Sequence, residues 1–267
     1  MTSAGTTFQT VQATVARELL SHRLNRFLFL HVLLMAAIGL LALLAPPEAA
    51  ATGTSWWVLN GVLYVATLSS LLLGLSSAQA EAEEFPLLFT QPISLVAWVA
   101  GKCGGLALMI VPSAVLLVLP TVLASGYAPV LAGAAALAAG LGLLLGFLGF
   151  ALGMWIQDPV RGLIAALMAW CILLFGIDLL LILVGGSTWV QSNPAFWVAA
   201  LMLSPLDAYR VTLLFLLERA AFSEADVHPL TSWWIRHPVL WICLCLLGWG
   251  AVVATAAVRG TIRRARS

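Results

Sequence analysis

Long apolar runs alternate with short polar breaks along most of this chain. The runs cover about Phe27 to Ala45, Trp56 to Ala78, Cys103 to Leu123, Val130 to Ile156, Gly162 to Val184 and Val239 to Val258. Each is long enough to cross a hydrocarbon core, which takes about 20 helical residues. Pro46-Pro47 ends the first run, and an interfacial Trp56-Trp57 pair opens the second. Pro112 and Pro120 predict a kink in the third. The pattern therefore predicts an all-α, polytopic integral membrane protein with six transmembrane helices and no sizeable soluble core.

Three segments break the rhythm. Residues 8–22 place Phe8, Val11, Val15 and Leu19 at helical spacing, with Gln9, Arg17, Glu18 and Ser21 on other faces. This is the pattern of an amphipathic helix lying in the membrane interface with its apolar side in lipid. Residues 79–102 form a patterned island between the second and third runs. Its leading part is acidic, with Glu81, Glu83 and Glu84 supplying three of the chain's eleven acidic residues. It then becomes apolar through Phe85, Leu87, Leu88 and Phe89, passes Pro92 and ends on Gly101-Lys102. The apolar ridge suits a helix laid into a groove of a soluble partner. Pro92 would end that helix, and Lys102 would anchor the next span by reaching back to the interface.

Residues 185–238 form the third exception. Ala195 to Leu217 is nearly a span, but Ser204, Pro205, Asp207 and Arg210 occupy its middle. A charge at the bilayer centre costs about 2.5–3.5 kcal/mol on insertion scales. Two short external helices fit better. Ser204 caps the second, Pro205 takes its first position, and Asp207 stands where a capping box needs an acid. Asp207 and Arg210, three apart, then share a helix face.

Composition agrees with the membrane class: 62% of residues are hydrophobic and 9% charged, against about 25% charged in soluble domains. The placement of charge orients the chain. Arg17, Arg23, Arg26, Lys102, Arg161 and the tail arginines Arg259, Arg263, Arg264 and Arg266 fall on one side of a six-span arrangement; Arg210, Arg219 and Arg236 fall on the other. The positive-inside rule puts both termini and the island in the cytoplasm. The N-terminus lacks the pattern of a cleaved signal peptide, so the first span is expected to stay. The cysteines, Cys103, Cys171, Cys243 and Cys245, lie in or beside apolar runs and form no disulfide framework.

The chain carries no HExxH, no CxxC, no paired intramembrane aspartates and no serine or cysteine motif around its histidines, so an active site of its own is not expected. A GxxxxGK[ST] loop is also missing, so any ATP, with its magnesium, would be held by another chain. No metal site is predicted. Cys243 and Cys245 are two apart and point to nearly opposite faces of a helix. Met35, Met109, Met154, Met168 and Met202 form no ladder of soft ligands. Gly142, Gly146, Gly149 and Gly153 line one face of the fourth run. Such a stripe lets another helix approach closely, either within the bundle, which is the favoured reading, or at a homodimer seam. Asp178 is the acidic residue well inside a span, and a buried carboxylate there needs a partner. Arg210 is the candidate, in competition with Asp207. His31 sits at a different depth.

Several stretches together resemble the ABC-2 type permeases, and among them the permease subunits that serve maturation of nitrous oxide reductase. They are RELLSHRLNRF ending the entry helix, LLFTQPISLVAWVAGKCGG at 87–105, GIDLLL at 176–181, LSPLDAYRV at 203–211 and VLWICLCLLGWG at 239–250. The most specific is the LxPxDxYR pattern of Leu203, Pro205, Asp207, Tyr209 and Arg210; Thr90, Pro92, Gly101 and Lys102 come next. The resemblance implies a permease homodimer in the bacterial inner membrane, bound to two copies of a cytoplasmic ABC ATPase through 79–102 as a coupling helix. It also implies a periplasmic β-helix subunit at the external helices and a copper-carrying lipoprotein. Membrane lipid would surround the chain, and no nucleic acid is expected as a partner. Two other readings stay open at this point: a general exporter of a lipid or small hydrophobic molecule, and a structural membrane anchor that works without an ATPase.

Overall fold

The computed structural model describes residues 4–22, 25–43, 59–80, 94–125, 128–217 and 229–266. Among these residues the chain is all helical, with no strand. An entry helix α1 (Ala4–His22) turns through 80° into α2 (Arg26–Leu43). Then follow α3 (Gly61–Ala80), α4 (Leu95–Ser125), α5 (Ala128–Trp155) and α6 (Pro159–Val184). Four shorter helices come next: α7 (Thr188–Ser192), α8 (Pro194–Leu203), α9 (Pro205–Leu217) and α10 (Pro229–Arg236). The long α11 (Pro238–Arg266) closes the chain. Five helices are long and apolar enough to cross a membrane, and up to seven if each sharply bent pair counts as one span. This is the make-up of a multi-pass membrane protein.

Local sequence explains several boundaries. The side chain of Asp158 accepts from the Arg161 backbone N–H at 2.8 Å, and Pro159 takes the first position, so α6 starts there. Ser187 caps α7 through the Val190 N–H. At the break between α8 and α9 the chain turns by 107°. Ser204 caps α9 by accepting from the Asp207 N–H at 3.4 Å. Helix α4 runs unbroken through Pro112 and Pro120 and starts at Leu95. It thus takes in the last residues of the island, which the sequence had placed before the span. Gly61–Ala66 at the head of α3 is a π-helical turn that no sequence signal announced.

The core is built on α3 and α5. A methyl group added at Gly74 would overlap the Gly146 carbonyl, and one at Gly149 would overlap the Leu71 carbonyl. Gly153 faces Ala78, and Gly142 faces Ile110 of α4 and Ser70 of α3. All four glycines of the stripe therefore face neighbours inside this chain, where backbone-to-backbone approach maximises packing. Helix α6 is different. It buries Gly162, Ala166 and Leu174, while Val160, Ile172, Leu179, Ile182 and Leu183 point outward. In a membrane those side chains contact lipid or another chain.

Helix ends gather into two layers. The near end holds α1, the start of α2, the end of α3, the start of α4 and the end of α11. There Trp155 donates to the Ala256 carbonyl at 2.8 Å, and the Arg263 guanidinium lies 5.4 Å from the Trp155 ring centre. The far end holds the head of α3, the end of α6 and helices α7 to α10. The sequence predicts two short helices in 185–238; four are present among the described residues. Buried Trp234 of α10 ties this layer together, meeting Phe215 edge-on and donating to Thr212 at 3.3 Å.

Candidate functional site

At the near end, α1 lies across α4 where three glycines clear its path. A Cβ at Gly101 would sit 2.5 Å from Thr14, at Gly104 3.1 Å from Val15, and at Gly105 2.6 Å from Glu18. Thr14 and Glu18 are one helical turn apart and face inward together. Phe8, Leu19 and Leu20 face outward. The predicted apolar side of α1 is thus divided: Phe8 and Leu19 face outward, while Val15 packs against Gly104. Glu18, however, does not reach solvent. Its carboxylate accepts from Lys102 Nζ on one oxygen and from the Ser77 hydroxyl on the other. Glu18 and Lys102 are each only 1% exposed. Lys102 Nζ also lies 5.9 Å from the ring centre of Trp98.

This corrects the expectation for Lys102. It does not reach the interface, because a partner carboxylate and an aromatic face meet it inside the protein. A lysine and a glutamate buried this deeply require one another, since either alone would leave an uncompensated charge. The pair joins α1 to α4, and Ser77 adds α3. Helices α3 and α4 are the two that flank residues 81–93. Glu81, Glu83, Glu84, Phe85, Leu87, Leu88, Phe89 and Pro92 lie outside the described residues. The Glu18–Lys102–Ser77 cluster is thus the anchored base on either side of the predicted docking island. Spacing along the chain could not reveal it, since 84 residues separate Lys102 from Glu18. The available signal was a lone lysine among glycines, opposite a helix with one glutamate.

Halfway through the bundle a second polar cluster spans three helices. His31 of α2 lies 2.7 Å through Nδ1 from Ser69 Oγ of α3, and 2.7 Å through Nε2 from Ser113 Oγ of α4. Each serine Oγ also lies 2.6 Å from a carbonyl of its own helix, Val65 and Ile110 respectively. His31, set aside by the sequence reasoning, is thus a buried clasp.

At the far end, Arg210 of α9 faces Asp178 of α6 at 3.6 Å, and both side chains are almost half exposed. Asp207 is 4% exposed, and its Oδ2 has no hydrogen-bond partner among the described residues. The predicted pairing of Asp207 with Arg210 is not made; Arg210 turns to α6 instead. Tyr209 is fully buried, and its hydroxyl has no hydrogen-bond partner among the described residues. Ser204 and Pro205 are buried at the start of the same helix. The LxPxDxYR segment therefore builds a helix start with polar groups turned inward, beside Asp178.

No protein family matches this sequence, and no curated relative does. The geometry must carry the functional reading. Of the sulfur-bearing residues, Met35, Met109, Met154, Met202 and Cys245 are buried among core side chains, while Met168, Cys171 and Cys243 point outward.

Proposed function

We propose that this chain is the membrane-spanning permease subunit of an ABC transporter. In this reading α2, α3, α4, α5, α6 and α11 are its six spans, and α8 and α9 form an external bent pair. The weight of arginines and lysine at the near end then makes that end cytoplasmic, in a bacterial inner membrane. The part of the island ahead of α4, residues 79–93, docks a separate ABC ATPase, present in two copies, which binds the ATP and magnesium. Two permease chains associate as a homodimer. The far-end helices act on a periplasmic β-helix subunit, and a copper-carrying lipoprotein takes part in assembling the copper centres of nitrous oxide reductase.

The observation that supports this reading best is the buried Glu18–Lys102–Ser77 cluster. It welds the two helices flanking the docking island to the entry helix, so a force applied at 81–93 moves three helices together. A loop that only joined two spans would not need a desolvated ion pair at its base. The chain presents few soft ligands, which fits relaying ATP-driven motion better than conducting copper. Co-purification tests the reading: an ATPase expressed with the chain should be retained by the wild type and lost from the Leu87→Asp/Leu88→Asp variant. Equal retention by both would remove the coupling role.

One observation favours a second reading, export of a lipid or small hydrophobic molecule. An apolar groove of about 420 Å³ runs between the end of α8 and α11, lined by Met202, Leu203, Trp241, Leu244, Trp249 and Val252. ATPase activity stimulated by a hydrophobic substrate, in the absence of any periplasmic protein, would select this alternative.

A further inference from the structure

A cavity of about 140 Å³ opens at the far end between α3, α6 and α9. Asn60, Tyr64, Phe175, Asp178, Asp207 and Arg210 line it, with leucines completing the wall. Two carboxylates and one guanidinium leave the cavity with one net negative charge. None of the three is fully satisfied. Arg210 stands 3.6 Å from Asp178, beyond a good hydrogen bond, and makes no hydrogen bond among the described residues. Asp207 is buried, and its Oδ2 lacks any donor. A carboxylate held in this way needs a cation or a donor to offset its desolvation. Ser204 and the nearby Arg210 charge offset part of it, and Oδ2 is left without a donor among the described residues.

We propose that this cavity binds a primary ammonium group. An ammonium has three N–H donors and no acceptor. Asp178, Asp207 and Tyr64 line one cavity and carry the acceptor oxygens it would need. The rings of Tyr64 and Phe175 add faces of the kind that attract an organic cation. A bare divalent metal ion fits worse, since calcium takes six to eight oxygen ligands and the side chains here offer two carboxylates, one amide and one phenol beside a guanidinium. Asp178 and Arg210 are almost half exposed at the mouth, which gives the ligand a way in. Arg210 holds Asp178 in place and limits the site to one added positive charge. The ammonium can belong to a free amine or to the ethanolamine headgroup of a phospholipid; the chemistry at the carboxylates is the same.

The test uses the full-length protein in phosphatidylcholine nanodiscs and amine-free buffer. Ethanolamine hydrochloride is titrated at constant ionic strength, and the thermal midpoint is read by tryptophan fluorescence. The midpoint should rise saturably with ethanolamine or methylammonium, and not with sodium or tetramethylammonium. Asp178→Asn and Asp207→Asn should each weaken the apparent affinity by about tenfold or more, the scale expected when one partner of a desolvated charge pair is lost. Arg210→Gln keeps both carboxylates and should still bind, which covers the case where an aspartate variant fails to fold. Nanodiscs containing phosphatidylethanolamine separate the two sources. A raised midpoint that free ethanolamine no longer moves identifies the lipid headgroup, and an unchanged titration identifies the free amine. An equal response to sodium or tetramethylammonium overturns the proposal. So does unchanged affinity in both aspartate variants, or no saturable response in wild type and Arg210→Gln alike.

Discussion

Replacing Lys102 by methionine puts the near-end cluster to a quantitative test. The substitution keeps most of the side chain's volume and its contact with Trp98 but removes the charge. Glu18 then remains buried beside the Ser77 hydroxyl with no cation from Lys102 to offset its charge. Breaking one side of a buried ion pair costs about 3–5 kcal/mol. For a chain of this size each kcal/mol corresponds to roughly 2–4 °C in midpoint, so Lys102→Met should melt on the order of 10 °C below wild type. Glu18→Gln should lose a comparable amount. The double variant is the decisive sample. With both charges gone no ion is stranded, so it should melt above either single variant, with a coupling energy of about 2 kcal/mol or more. Tryptophan fluorescence of the purified protein in detergent reads the midpoints, and ATPase stimulation by the same samples reads coupling. Additive losses in the double variant, or single variants within about 2 °C of wild type, would refute the reasoning.

Other predictions follow from the same packing. Gly149→Ala should be strongly destabilising, by about 1–3 kcal/mol or more, because its new methyl meets the Leu71 carbonyl; Gly133→Ala, with nothing near its Cβ position, is the neutral control in the same melting assay. His31→Leu should cost about 1–3 kcal/mol by removing the partner of Ser69 and Ser113. Adding Ser69→Ala and Ser113→Ala to it should recover part of that loss, since no hydroxyl then faces an apolar side chain. A triple variant less stable than His31→Leu alone would show that the serines matter only to their own helices. Trp155→Phe keeps the ring under Arg263 but loses the bond to the Ala256 carbonyl, so limited proteolysis should cut the end of α11 faster than in wild type.

Helix content and glycine packing were legible because both are periodic. The stripe at Gly142, Gly146, Gly149 and Gly153 repeats at helical spacing, and its partner Gly74 sits in the preceding long apolar run but one. A cap was legible where the signal is local, as at Ser204-Pro205. The polar clusters were not. Glu18 read as part of a wet face, Lys102 as an interface anchor, and His31 as a residue at the wrong depth for Asp178. Each owes its environment to residues distant in the chain, and a single polar residue does not announce what it will meet. The π-helical turn at Gly61–Ala66 falls in the same class: nothing in its sequence, Gly-Val-Leu-Tyr-Val-Ala, sets it apart from the rest of the apolar run.

The order of synthesis gives the near-end ion pair one more consequence. Glu18 leaves the ribosome long before Lys102, and α1 can rest at the membrane surface while α2 and α3 insert. When α4 follows, its lysine arrives where a carboxylate is already waiting. An uncompensated ammonium is costly inside a bilayer even short of mid-span, and here a carboxylate offsets that cost at the moment of insertion. The entry helix thus works as an internal chaperone for the third long apolar helix, and a chain trimmed of α1 should show its defect first in the insertion of α4.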